Sequence, residues 1–291
     1  MITVYLNGEF LPIEQAKIPV LDRAFMFGDG IYEVIPVYSR RAFRLAEHLA
    51  RLEASLRAIR IDNPHDPSQW SSLIGKVIEH NPWQDQSVYL QVTRGVAPRE
   101  HQFPQGLTPT VFLMANALVT PSKDQIERGG SAIVLADFRW LHCEVKSVSL
   151  LGNCWLRTLA ADCGCTEAIL VRDGFLTEAS SSNVFIVRDG VVITPPKSNL
   201  ILPGVTYDVV LEILRANAMA HQVRQVSETE LRAADEIWVT SSSKEIFPIT
   251  TLDSKPVGQG ENLGKPGPVF ARAYAHYQVF KATVMRSAAH V

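Results

Sequence analysis

Residues 166–196 read TEAILVRDGFLTEASSSNVFIVRDGVVITPP. Two Arg-Asp-Gly segments, Arg172 to Gly174 and Arg188 to Gly190, each separate apolar, β-branched runs. Asp-Gly between such runs is a strong hairpin signal, because the tight turn that matches strand twist needs positive φ at both central residues. The stretch predicts an antiparallel meander, and with it a sheet-rich second half of the chain. The VRDG echo is turn chemistry recurring, too short for an architectural repeat.

N-terminal to this meander the pattern differs. ITVYLNGEFLPI holds an Asn7-Gly8 turn between apolar runs, and GDGIYEVIPVY is a glycine-rich turn feeding a β-branched strand. Residues 41–60 place Phe43, Leu45, Leu49, Leu52, Leu56 and Ile59 on one helical face, which predicts an amphipathic helix. PSQWSSLIGKVIEHN predicts a second helix, and SVYLQVTRG and PTVFLMANALV two further strands. Strands, helices and strands again indicate a small α+β domain over residues 1–120. The polar VTPSKDQIERGG is the expected linker, and residues 121–291 form a larger second domain. In it, SVSLLGNCWLRTLAADCG predicts a helix stopped at Gly164, TYDVVLEILRANAM a helix with Thr206 as N-cap, and EIWVTSSSKEIFPITTLD two strands about a serine run.

The 291 residues suffice for two domains, and 46% hydrophobic with 20% charged residues fits a soluble, enzyme-like protein. A formal charge of -2 argues against a nucleic-acid binder, which carries a basic excess. No run approaches the ~18 apolar residues of a membrane span, and MITVYLNGEF has no secretory pattern, so a cytoplasmic protein without membrane attachment is expected. Cys143, Cys154, Cys163 and Cys165 match no zinc or redox spacing, so they are expected to be reduced structural thiols, and no metal site is expected.

Lys146 interrupts RWLHCEVKSVSLLGN, after an apolar run from Ile133 to Val145 that places it at a strand end in the second domain. A lysine there either reaches to solvent or is kept neutral for chemistry. LPGVTYDVV, residues 202–210, brings a glycine turn to a helix start whose first amides belong to Val205 and Thr206, the arrangement of an anion site. The hydroxyls of Thr240, Ser241, Ser242 and Ser243 at the end of EIWV can add donors to the same anion, and Glu178 leaves a hairpin strand toward a serine-rich bend. An imine-forming lysine, a phosphate cradle and a carboxylate are the parts that pyridoxal 5'-phosphate chemistry requires.

FGDGIYE, VTRGxxxRxH, a lysine before SVSLLGN, TEASSSNVF, ILPGVT and VTSSSKEI occur in that order from Gly28 to about Pro248. In this the chain resembles the fold-type IV pyridoxal phosphate aminotransferases, and among them most closely the D-amino acid transaminases. The resemblance implies a two-domain α+β fold with a small N-terminal domain and a larger C-terminal one built on an antiparallel-rich sheet or barrel. It implies Lys146 as the Schiff-base lysine and proton shuttle, and Glu178 as partner of the pyridine nitrogen. Arg51, in an EHxxRL segment, would bind the cofactor phosphate with Val205, Thr206, Ser241 and Ser242, while Ser181 and Leu202 line the ring.

For substrate choice the resemblance assigns Arg99 and His101 of APREHQF, with Tyr32 and Val34, to the substrate, the Arg-His pair reaching across from a neighbouring subunit. A planar guanidinium matches a carboxylate, and a histidine reinforces it. A homodimer with its active site at the subunit interface is thus implied, acting on a D-amino acid such as D-alanine and a 2-oxo acid such as 2-oxoglutarate. The branched-chain L-amino acid aminotransferases instead place an arginine four positions after the residue matching Tyr32, where this chain has Pro36. Aminodeoxychorismate lyases and R-selective amine transaminases share the cofactor frame and stay open as alternatives, as do a non-catalytic cofactor-binding protein and a cofactor-free lysine enzyme. Many relatives carry an arginine after LPGxT; Tyr207 stands here, read as altered salt bridging at the helix start.

Overall fold

The computed structural model describes residues 2–287. They divide into two compact units, residues 2–119 with Val145–Leu150, and Thr120–Glu144 with Leu151–Ser287.

In the first unit, β1 (Thr3–Leu6) and β2 (Glu9–Pro12) meet at Asn7 and Gly8, whose φ values of 47° and 105° form the expected hairpin turn. Helix α1 (Arg23–Phe27) starts on Asp22, whose side chain accepts from the Ala24 amide. Then follow β3 (Gly30–Tyr38), β4 (Arg41–Ala42), α2 (Leu45–Ala58), α3 (Pro67–His80), β5 (Gln86–Thr93) and β6 (Thr110–Ala117). The helix expected over 41–60 therefore begins only at Leu45. Positive φ at Ser39, Arg40 and Arg44 makes the preceding residues a hairpin that pairs Tyr38 with Arg41. Helix α3 opens on a capping box between Asp66 and Gln69, with Pro67 in its first turn.

The strands form one antiparallel sheet in the order β2-β1-β6-β5-β3-β4. Leu49, Leu52 and Leu56 of α2 and Trp70, Ile74 and Val77 of α3 share a core with Ile31, Ile35 and Val37 of β3. Alternation along β3 decides the rest: Ile31, Glu33 and Ile35 point into that core, while Tyr32 and Val34 stand half-buried on the other face, opposite Gln91 and Tyr89.

The segment around Lys146 departs from expectation. Strand β7 (Gly130–Ala136) ends ten residues before it, and residues 137–150 are irregular, so Lys146 is not at a strand end. Val145–Leu150 belongs to the first unit. Val145 joins its core, Ser147 bridges Ile31, and the Tyr32 and Val148 amides donate to the Lys146 and Gly30 carbonyls at 2.9 and 3.0 Å. The short strand β4 pairs only with the end of β3, and residues 146–148 fill the edge it leaves open.

In the second unit the expected linker holds a helix, α4 (Lys123–Arg128), with a Ser122–Gln125 capping box and Ile126 buried beneath it. After β7 come α5 (Leu151–Asp162), β8 (Glu167–Arg172), β9 (Phe175–Ala179), β10 (Asn183–Arg188), β11 (Val191–Thr194), α6 (Val205–Ala216), β12 (His221–Val223), α7 (Glu228–Arg232), β13 (Glu236–Ser241), β14 (Glu245–Leu252), β15 (Lys255–Pro256) and α8 (Pro268–Phe280). The two Asp-Gly turns take positive φ at Asp173, Gly174, Asp189 and Gly190, closing the expected hairpins.

The nine-stranded sheet runs β12-β11-β10-β13-β14-β7-β8-β9, with β15 beside β14. Strand β9 ends this order, yet residues 180–182 alone connect it to β10, and the Ala179 amide donates to the Ser182 carbonyl at 2.7 Å. So short a link requires the sheet to curl until its ends approach, toward a half-barrel. Tyr207, Phe185, Trp238 and Phe270 touch ring to ring in that order, tilted, stacked and edge-on, and hold α6 and α8 to the β10–β13 surface. Among the described residues no helix is long and apolar enough to cross a membrane.

Asp66→Ala removes one arm of the α3 capping box, and a loss of about 1 kcal/mol in urea unfolding is expected. An unchanged midpoint would mean that tertiary packing alone holds this helix end.

Candidate active site

The candidate residues fall into clusters within each unit. In the first, Lys146 is half-buried and held by its own backbone: its amide donates to Ser55 Oγ at 3.2 Å and its carbonyl accepts from Tyr32. Its Nζ lies 4.2 Å from the centroid of the Tyr32 ring. Residues 48, 51 and 55 recur on one face of α2, so this helix presents His48, Arg51 and Ser55 toward β3 and the lysine segment.

Arg51 forks onto Glu33, Nε to Oε1 and Nη2 to Oε2, both at 2.7 Å. His48 Nδ1 is 2.8 Å from Glu33 Oε2, and Glu33 is wholly buried. Burial works to raise the pKa of Glu33, but Arg51 and His48 outweigh it and hold the carboxyl at about 2. Burial lowers the pKa of His48, the Glu33 carboxylate opposes this, and Arg51 and Lys146 push it further down. The ring is therefore neutral, donating from Nδ1 to Glu33. Its Nε2 is buried and, among the described residues, has no hydrogen-bond partner.

Arg99 and His101 lie in the exposed loop after β5. They converge on Phe27: the guanidinium of Arg99 is 5.3 Å from the ring centroid, and the His101 ring is 5.7 Å away. Arg23 fixes that loop by donating to the Glu100 carbonyl at 2.6 Å. Tyr32 stacks on Tyr89 at 5.7 Å, and Tyr89 in turn donates to Gln91 Oε1.

In the second unit Glu178, near the end of β9, is buried with both oxygens engaged. Arg139 Nη1 donates to Oε1 at 2.6 Å; the Leu202 amide at 3.1 Å and Asn183 Nδ2 at 3.3 Å donate to Oε2. Burial raises its pKa to about 7 against the opposing pull of Arg139 and the Leu202 amide. Asn183 also donates to the Leu202 carbonyl, and a Cβ on Gly204 would lie 2.1 Å from Asn183 Oδ1. Glycine is thus required at position 204 by the close approach of the side chain that orients Glu178.

Gly204, not Thr206, caps α6, and Thr206 sits inside the first turn. Gly204 brings no side chain to the helix start, whose first amides belong to Val205 and Thr206. Asn183 pairs across to Thr240 at the end of β13, which sets the Leu202–Gly204 turn beside the serine run. Thr240 Oγ1 is buried and, among the described residues, has no hydrogen-bond partner. Unpaired helix-start amides beside hydroxyls, one of them a buried donor without an acceptor, fit a bound phosphate. Ser241 Oγ accepts from the Lys244 amide, and Ser181 Oγ donates to Glu167 Oε2 at 3.3 Å. The Tyr207 ring is buried against Phe185, and its hydroxyl donates to the Pro195 carbonyl at 3.0 Å.

Several holding residues escaped the sequence reading. Glu33 follows Tyr32 in GDGIYEVIPVY, and His48 lies three positions before Arg51 in EHLARL. Arg139 and Asp137 sit in a run read as apolar strand. Glu167, fully buried, accepts from Ser180, from Ser182 and from Lys244 Nζ at 2.5 Å, tying the two serine bends together. Charges between apolar residues were the available signal for Glu33, Asp137 and Arg139, but Glu33 lies 18 positions from Arg51 and Arg139 lies 39 from Glu178.

Residues 30–252 match the model of the family described as amino-transferase class IV, and the chain belongs to that family. It is 39% identical over 266 residues to a D-alanine aminotransferase of Bacillus licheniformis, covering 91% of this chain and 92% of that one. A D-alanine aminotransferase of Listeria monocytogenes is 37% identical, with 94% of each chain covered. Among solved structures, the branched-chain aminotransferase of the thermophilic archaeon Thermoproteus uzoniensis with norvaline superposes at a TM-score of 0.85 and 27% identity, over 95% of this chain and 93% of that one.

The two buried glutamates give opposite pH effects. Glu33, depressed from 4.5 to about 2, contributes stability present above pH 4.5 and lost as pH falls through about 2. Glu178, raised from 4.5 to about 7, stays protonated in the fold where the unfolded chain ionises, so it lowers stability progressively from pH 4.5 to about 7. Thermal melts should show Glu178→Gln gaining on the parent across that upper window, and the deficit of Glu33→Gln shrinking below pH 4.5. Melting profiles that stay parallel to the parent would contradict both assignments.

Proposed function

We propose that the chain is a pyridoxal 5'-phosphate-dependent D-amino acid aminotransferase, moving an amino group from a D-amino acid such as D-alanine to a 2-oxo acid such as 2-oxoglutarate by ping-pong exchange. The observation that carries the reading is Glu178, a carboxyl withdrawn from water with its oxygens fixed by Arg139, Asn183 and the Leu202 amide. An acid so held suits a pyridine nitrogen that must stay protonated. The D-alanine aminotransferase relatives, more than a third identical along nearly the full length, support the substrate class. Pro36 in place of an arginine, together with Arg99 and His101, supports it over branched-chain L-amino acids.

When bound, pyridoxal phosphate supplies an electrophilic carbonyl carbon and a ring that draws electrons from the substrate α-carbon. Lys146 Nζ would take the proton from that α-carbon and pass it to the cofactor's carbonyl carbon, so that the amino group stays with the cofactor. Glu178 would hold the ring nitrogen's proton. Arg51, oriented by Glu33, and the Val205, Thr206, Ser241 and Ser242 groups would bind the phosphate, while Ser181 and Leu202 would border the ring. Arg99 and His101, gathered on Phe27, hold the substrate carboxylate with Tyr32 and Val34, serving the site of a neighbouring subunit in a homodimer. Four cysteines without disulfides suit a cytoplasmic enzyme.

The deciding experiment mixes the purified, cofactor-loaded protein with D-alanine and L-alanine separately and follows the visible absorption of the cofactor. A change with D-alanine alone is expected; a response to the L form alone would overturn the substrate assignment. Lys146→Ala should lose turnover by about a hundredfold or more, and Arg99→Ala should raise KM for D-alanine by about tenfold or more with kcat less affected. Turnover near the parent's in Lys146→Ala, or a parental KM for D-alanine in Arg99→Ala, would remove that residue from its role.

A further inference from the structure

We propose that Arg139 and Asp137 are a tuning pair, Arg139 favouring the ionised form of Glu178 and Asp137 limiting how strongly it does so. This rests on the reading of Glu178 as the acid that faces the cofactor ring, and deepens it.

Arg139 divides its five donors. Nη1 meets Glu178 Oε1 at 2.6 Å, while Nε and Nη2 fork onto Asp137 Oδ1 and Oδ2, both at 2.9 Å. Asp137 is itself immobilised. Thr177 donates to its Oδ2 at 2.9 Å, the Arg139 amide donates to Oδ1 at 3.1 Å, and Arg172 Nη2 is 3.2 Å from Oδ1. All of these side chains except that of Arg172 lie almost wholly out of water.

A guanidinium on a buried carboxyl would, undivided, drive it well into the ionised range, as Arg51 does to Glu33. Here the same cation is claimed first by Asp137 through two parallel bonds, and Asp137 also repels a charge on Glu178. The charged and titratable groups facing Glu178 in its unit are Arg139 and Asp137, with the Cys143 thiol coupled to all three and raised to about 11 by burial. The Asn183 amide and Leu202 N–H are neutral donors. The balance leaves Glu178 titrating at about 7, with burial as the main upward cause. An acid poised there can carry a proton or yield it near neutral pH.

The carboxyl band of Glu178, identified by its absence in Glu178→Gln, can be titrated by isotope-edited infrared spectroscopy on the protein as purified and again after cofactor removal. Asp137→Asn should move its midpoint down by about one pH unit or more, and Arg139→Gln up by a similar amount. The double variant, which leaves burial and amide donors, should titrate above the parent. Opposite displacements are the signature, since mere loosening of the fold would move both single variants the same way. Midpoints that shift together, or do not shift, overturn the proposal; if Arg139→Gln fails to fold, Asp137→Asn and the double variant decide it by the same signs. Because the band is read without turnover, a protein that takes up no pyridoxal phosphate would refute the proposed function while the Glu178 titration still judged the tuning pair.

Discussion

A carboxylate taken out of water survives in ionised form only if a cation and hydrogen-bond donors replace its hydration, and each unit of this protein is organised around such a replacement. Glu33 joins β3 to α2 through Arg51 and His48, and the backbone of Lys146 is tied to those same two elements. Glu178 joins β9 to the Leu202 turn and to the irregular segment that carries Asp137 and Arg139. Glu167 does the same for the two serine bends. Removing Arg51, Arg139 or Lys244 would strip a buried carboxyl of its cation.

Similar pairs produce opposite acidities for a geometric reason. Both oxygens of Glu33 receive Arg51, and His48 adds a donor, so the anion is strongly favoured. Only one oxygen of Glu178 receives an arginine, and that arginine is forked onto Asp137. Burial, equal in kind at both sites, dominates where the compensating charge is divided. Glu33 is thereby fixed as a permanent anion that orients Arg51, whereas Glu178 keeps a proton within reach.

Much of the architecture was legible before any coordinates. The Asn7-Gly8 and both Asp-Gly turns fold as hairpins because these pairs readily accept the positive φ the turn needs. The apolar face of α2, the span of α3 and the strands on either side follow from periodicity. Departures came where backbone conformation overrode composition. Ser39, Arg40 and Arg44 in positive φ delay α2, a Ser122 capping box turns a polar linker into α4, and a glycine rather than Thr206 caps α6. The order of motifs from Gly28 to Pro248 pointed to the family, and with it to Lys146 and Glu178.

By itself the sequence determined the local elements, the turn positions and the kinds of chemistry on offer, because hydrophobic period, turn residues and capping residues act over a few positions. Tertiary structure decided that residues 145–150 pack with the first unit, since the open edge of β3 needed backbone partners that only those residues supply. It also decided which arginine neutralises which acid. Arg139 lies 39 positions from Glu178, and Lys244 lies 77 from Glu167. Charges acquire a proton affinity from distance and burial, and neither exists until the chain has closed.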